Sequence, residues 1–199
     1  MNKLFKKLLL TVLIAGSFFT QNIFGMQEEN SNIRQTINKD NLVLVVNDFS
    51  LLEKATETYV EAFAPVKKSP EHVLIEEWNN KCRCIINNKH LIPVLWIAIK
   101  NVLTNKIIAF SLSYNFKNKI SGDFLAIHPL YQGLGLARRL IFYPFEKLDS
   151  IKNIEFSTWT YNINAQQVYA KLGFDIKSTT NTGIFYNFSK EKWLSLQKK

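Results

Sequence analysis

Cysteine is scarce in this 199-residue chain. Cys82 and Cys84 are its only two, which excludes a disulfide-rich scaffold and a four-cysteine zinc site. Two positions apart, strand-like alternation would send them to opposite faces, a poor geometry for a mutual disulfide. The three histidines, His72, His90 and His128, show no metal-ligand spacing. Seven glycines and five prolines are too few for collagen-like or low-complexity architecture. Arginine is rare as well: Arg34, Arg83, Arg138 and Arg139 stand against 21 lysines. The formal charge of +9 could suit a polyanion, but the lysines are scattered and no expected helix carries a basic stripe, which argues against a nucleic-acid interface. Lysine, asparagine and isoleucine, the last two at 20 each, all have AT-rich codons, and biased base composition accounts for the excess. What is present is apolar. Hydrophobic residues make up 47% and aromatics 13%, enough for one domain with a proper core and too short for two.

Residues 1–25 read as an export signal. Lys3, Lys6 and Lys7 form a basic start, Leu8 to Phe19 is apolar and uncharged, and Gly25 ends a more polar segment. The apolar stretch is short for a membrane span, which takes about 20 residues. Cleavage is expected after Gly25, with Ala15-Gly16-Ser17 as a second site and an uncleaved N-terminal anchor as the alternative. Cleavage removes three lysines and no acid, lowering +9 by three to +6 over 174 residues. That charge mildly disfavours very basic partners such as polyamines. Residues 26–40 are polar and are expected to form a mobile leader before a domain over 41–199.

Within that domain the patterns predict a strand over Leu42–Val46. A helix follows from Ser50, capped by a Ser50/Glu53 box, with Leu52, Ala55, Tyr59 and Phe63 on one face, ending at Pro65. A second helix starts near Ser69-Pro70-Glu71 and carries Val73, Leu74 and Trp78. Val94–Lys100 and Ile107–Tyr114 read as a hairpin, and Asp123–Ile127 as a strand after a turn at Ser121-Gly122. A helix from Gly135 to about Leu148 should be kinked or shortened by Pro144. A strand over Ile154–Thr160, a helix over Ala165–Leu172 capped by Gly173, and closing strands over Phe174–Lys177 and Ile184–Phe188 complete the order. This is a mixed-sheet α/β (α+β) domain.

The informative segment runs from Phe124 to Leu140. A strand leads into a loop with Gly133 and Gly135, which opens a helix. Glycine permits a sharp turn and close approach of a ligand. The first amides of a helix lack internal partners and can cradle an anion. Arg138 and Arg139 stand in the first turn, where cations oppose the helix dipole, a placement that suits an incoming polyanion. Neither a Walker A loop nor a dinucleotide fingerprint fits the spacing.

Two blocks of this sequence resemble the GCN5-related N-acetyltransferase (GNAT) superfamily. The family's acetyl-CoA motif, Gln/Arg-x-x-Gly-x-Gly/Ala, is matched by Gln132-Gly133-Leu134-Gly135-Leu136-Ala137. The next motif is matched by Asn162, Ala165, Tyr169, Gly173 and Phe174 in register. The resemblance covers about 94–188. It implies a GNAT-like fold with a central, mostly antiparallel sheet flanked by helices, and transfer of an acetyl group from acetyl-CoA to a primary amine of a small molecule, peptide or protein. It further implies that Leu125 and Ile127 would bond the pantetheine arm through their backbone. The amides from Gly133 to Arg138 would hold the pyrophosphate, and Asn162 and Asn164 would contact the cofactor. Tyr169 would serve as general acid to the departing thiolate.

Each residue also has a plainer reading. Tyr169 could pack on the core, Asn162 and Asn164 could only cap a helix, and His128, preceding Pro129, favours a structural role. Asp123 and Glu155 lie on the relevant strands, yet neither matches a defensible general-base position. The rival from another class is a non-catalytic CoA-binding or protein-interaction module on the same fold. Export also sits poorly with a cytoplasmic acyl donor. Either the chain is delivered into another cell's cytosol, or Met26 is the true start and the protein is cytoplasmic, or only the fold is retained. No metal is expected.

Overall fold

The centre of the molecule is set by two strands that bury both faces. In the computed structural model, which describes residues 39–198, β2 (Val94–Asn101) and β3 (Lys106–Phe116) pair antiparallel through the apolar runs Leu95–Ile99 and Ile107–Leu112. The expected signal and nearly all of the leader lie outside the described residues. Around that pair, β1 (Leu42–Val46), β4 (Lys119–Ile127), β5 (Asn153–Trp159), β6 (Asp175–Thr179) and β7 (Gly183–Ser189) complete one sheet in the order β1-β2-β3-β4-β5-β7-β6. Every pairing is antiparallel except β4 with β5. The expected mixed, mostly antiparallel sheet is therefore the observed one.

Helices α1 (Thr56–Lys67) and α2 (Glu71–Asn88) build one core against the sheet. Leu52, Ala55, Tyr59, Leu74 and Trp78 are fully buried there with Trp96, Phe110 and Leu112. Tyr59 stacks on Trp78 at 5.0 Å, and Trp78 meets Phe110 at 4.9 Å. Helices α3 (Leu136–Lys147) and α4 (Ile163–Leu172) contribute to a second aromatic cluster with β5 and β7. Phe142 and Phe145 of α3 pack on Phe188, while Tyr169 of α4 packs on Phe156 and Tyr186. A short α5 (Lys190–Gln197) closes the chain, with the Ser189 hydroxyl accepting from the Lys192 amide at 3.2 Å. None of the helices among the described residues is long and apolar enough to cross a membrane.

Several local expectations need correction. Ser50 does not cap α1. Asp48 caps a short 3-10 turn, accepting from the Ser50 amide, and α1 proper begins only at Thr56. Pro65 lies inside α1 and does not end it. The missing donor falls in the last turn, and Lys68, in the left-handed region at φ 53°, ends the helix by donating to the Ala64 carbonyl. Pro144, by contrast, lies inside α3 as expected, and the helix runs on to Lys147. Cys82 and Cys84 stand on α2, not on a strand. The residues are free, and burial pushes the Cys82 thiol up to about 12.

The most consequential correction concerns Ser121-Gly122. These residues are not a turn but lie inside β4, whose hairpin reversal is at Lys117-Asn118. The register against β3 shifts here: Leu112 faces Phe124 while Ser113 faces Gly122, so Asp123 is the extra residue of a bulge. Gly122 is required by packing. A β-carbon there would fall 2.0 Å from an atom of the Phe156 ring.

Candidate active site

The bulge stands where β4 loses its parallel neighbour. The β4–β5 register covers only Lys119 to Ser121 against Asn153 to Glu155. Beyond it, from Gly122 to Ile127, the β4 edge that faces β5 pairs with no strand among the described residues. A splay opens between the two strands, with backbone donors and acceptors along one wall. Leu125 and Ile127 both lie on that wall, paired on their other side with Ser111 and Ala109 of β3. The Ile127 carbonyl also accepts from Gln132 Nε2 at 3.2 Å, which ties the following loop back onto the strand end.

The chain leaves the splay through His128, whose Nδ1 accepts from the Leu130 amide at 3.3 Å and starts a 3-10 turn over Pro129–Tyr131. Its ring packs edge-on against Tyr131. This is a structural cap, as its place before proline suggested. Gly133 and Gly135 follow, both at positive φ (82° and 80°), where a side chain is strained. Gly135 is the N-cap of α3 and supplies no side-chain cap, and the first turn holds no acid. The helix's own ladder begins with the Arg139 amide donating to the Gly135 carbonyl at 3.3 Å. The amides of Gly133, Leu134, Gly135, Leu136, Ala137 and Arg138 precede it, so the helix offers them no acceptor. A β-carbon on Gly135 would meet no protein atom within 4 Å. The glycine loop therefore faces open space at the positive end of a helix dipole. Arg138 is exposed there, its guanidinium 5.4 Å above the Phe142 ring.

Helix α4 supplies the second block. Asn162 is its N-cap, with Oδ1 accepting from the Ala165 amide at 3.2 Å, so the capping role is observed directly. Gly173, at φ 83°, ends the helix as expected. Asn164 is exposed beside a cavity of about 500 Å³ lined by Pro65 to Lys68 and Tyr161 to Asn164. Tyr169 is 4% exposed, and its ring stacks on Phe156 at 5.6 Å. Phe156 is the ring that presses on Gly122, so Tyr169 stands one ring away from the closed end of the splay. Burial, reinforced by Tyr186, raises the Tyr169 pKa above the usual tyrosine range. Its hydroxyl holds its proton at every physiological pH.

Both carboxylates considered as bases are neutralised. Asp123 forms an ion pair with Lys81 and accepts from Tyr114 Oη at 3.1 Å. Burial alone would raise the Glu155 pKa, but hydrogen bonds from Lys177 and Lys119 outweigh it and hold the carboxyl below its ordinary range. Sequence reading missed a third group on this side of the molecule: Lys67, Glu77 and Trp159, which come from α1, α2 and β5 and share no local pattern. A tryptophan ending a strand beside the Asn162 motif was the available signal.

Residues 93–176 match the family model of the acetyltransferase (GNAT) domain. No curated protein sequence matches the chain. Among solved structures, the chain is similar to the PaiA N-acetyltransferase of Thermoplasma acidophilum, solved in complex with coenzyme A. The TM-score is 0.60 at 16% identity, covering 74% of this chain and 99% of that one. It is similar also to the ribosomal-protein-S18-alanine N-acetyltransferase of Escherichia coli, with TM-score 0.56, 18% identity and coverage of 74% and 93%. A third is the spermidine/spermine N-acetyltransferase SpeG of Vibrio cholerae, with TM-score 0.57, 16% identity and coverage of 79% and 98%. The fold is GNAT-like, and the matched segment runs from β2 to the start of β6, including the splay, the glycine loop and α4.

Proposed function

We propose that the protein is an acetyl-CoA-dependent N-acyltransferase acting on a primary amine. The observation that carries this reading is the junction of two features: a sheet opened between β4 and β5, and an uncapped helix start with two positive-φ glycines at the mouth of that opening. An elongated arm ending in a pyrophosphate suits both at once. Leu125 and Ile127 would bond the arm through their backbone, and the amides from Gly133 to Arg138 would hold the pyrophosphate. The residue types at Gln132, Leu134, Leu136 and Ala137 shape the loop. The neutral amine attacks the thioester carbon, the C–S bond breaks, the thiolate leaves with a proton, and the acylated nitrogen sheds its surplus proton to solvent, from which the donor is restored. Tyr169, protonated at neutral pH as tyrosines are, is the proposed donor of the thiolate's proton, a role worth about 10²- to 10⁴-fold.

Support for a catalytic protein over a bare CoA-binding module comes from the phenol beside the splay, and from the likeness in fold to three N-acetyltransferases. The test is release of free thiol from acetyl-CoA in the presence of a panel of small and peptide amines. Turnover with any primary amine supports the reading. Tight acetyl-CoA binding without turnover across the panel favours the binding module. The proposed localisation is export, from the pattern of residues 1–25. A reporter fused after Gly25 should leave the cytoplasm, and full retention would place the functional start at Met26.

A further inference from the structure

The face of the splay opposite Tyr169 holds an ammonium that belongs to the chain itself. Lys67, in the last turn of α1, places Nζ 2.9 Å from Tyr59 Oη and 2.5 and 2.6 Å from the two carboxylate oxygens of Glu77. The same Nζ stands 5.5, 5.6 and 5.4 Å from the ring centres of Tyr59, Phe63 and Trp159. Three aromatic rings and a carboxylate around one ammonium form a recognition site for an alkylammonium. An ordinary surface ion pair lacks this surround. Lys106 and Glu57 are 59% and 51% exposed, whereas the Lys67 side chain is 13% exposed.

Position gives the arrangement its meaning. Tyr59 and Phe63 both pack edge-on against Phe124 of β4, at 5.5 and 5.8 Å. Trp159 is the last residue of β5. The ammonium thus spans the two strands between which the sheet opens. By strand alternation Trp159 points to the face opposite Phe156, the ring that Tyr169 covers. Lys67 also lines the cavity with Tyr161 to Asn164. An amine reaching an acyl carbon held in the splay from this face arrives at the ground that Lys67 now occupies.

We propose that Tyr59, Phe63, Glu77 and Trp159 form the subsite that holds the ammonium of the acyl acceptor, and that Lys67 is a resident surrogate which the acceptor displaces. The acceptor class is then a primary ammonium on an unbranched aliphatic stem, the chemistry of a lysine side chain. This rests on the acyltransferase reading above. A tethered competitor acts at high effective concentration, so the native protein binds such amines weakly until Lys67 swings out. Glu77, 42% exposed, remains accessible from solvent to receive the replacement.

The experiment uses the full chain and Nα-acetyl-lysine methylamide, titrated without acetyl-CoA and followed by tryptophan fluorescence. Lys67→Met keeps the aliphatic stem and removes the charge. The expected result is binding at least tenfold tighter than wild type. Adding Trp159→Leu or Glu77→Gln to the Lys67→Met protein should cancel the gain. Lys67→Gln provides a second neutral variant should the methionine protein melt early. Equal amine affinity in wild type and in both neutral variants, each with native circular dichroism, overturns the subsite. Acetyl-CoA titration of the same proteins separates the two readings. Normal acetyl-CoA binding without the amine gain removes the subsite alone. The amine gain without acetyl-CoA binding supports the subsite and counts against the acyltransferase.

Discussion

Two helix starts in this protein solve the same problem in opposite ways. Helix α4 caps itself: the Asn162 side chain accepts from the Ala165 amide at 3.2 Å. Helix α3 does not. Its N-cap is a glycine at φ 80°, its first turn has no acid, and two arginines stand where the dipole disfavours them. A side-chain cap is worth about 1 kcal/mol over alanine but only a few tenths over glycine, so the glycine leaves α3 open at little cost in stability. The difference teaches which helix is organised for the folded chain alone and which is completed from outside. An uncapped start facing open space, fed by a strand whose free edge leads to it, is a place for an anionic ligand.

The largest effect expected from breaking this contrast is at Gly135. Gly135→Asp puts a carboxylate at the helix mouth and a side chain at positive φ, and should abolish acetyl-CoA binding by calorimetry while circular dichroism stays native. Tyr169→Phe comes next. The ring and its stacking on Phe156 remain, so steady-state kinetics should show turnover down by about 10²- to 10⁴-fold with acetyl-CoA affinity unchanged. Unchanged turnover would remove the hydroxyl from the reaction. At the self-capped helix, Asn162→Ala should lower unfolding stability by about 1 kcal/mol in a denaturant titration. A much larger loss of acetyl-CoA affinity would mean that Asn162 also contacts the ligand. The smallest effect is at Arg138. Arg138→Ala should stabilise the ligand-free protein by about 0.3–1 kcal/mol, since it relieves an unfavourable charge at the dipole. The same change should weaken acetyl-CoA binding and flatten its salt dependence.

Local chemistry made much of this legible from residues alone. The β2–β3 hairpin, β1, the glycine loop and the α4 segment from Asn162 to Gly173 announce themselves through short-range patterns, and the structure has each of them. The misreadings share a physical origin in contacts far apart in sequence. Gly122 resembles a turn glycine, yet it is glycine because the Phe156 ring lies against it. The bulge at Asp123, where the splay begins, has no signature of its own. The Lys67–Glu77–Trp159 group joins three elements and is invisible to any spacing rule. The C-terminal α5 was missed because its only local signal is the Ser189 cap before a mostly exposed segment.

The account stands on the open start of α3 as the ligand's anion site, and calorimetric titration of acetyl-CoA into the wild-type, Gly135→Asp and Asn162→Ala proteins tests it most directly. Binding by wild type and Asn162→Ala with none by a folded Gly135→Asp is the predicted result. Equal binding by all three proteins, or none by a well-folded wild type, would contradict it.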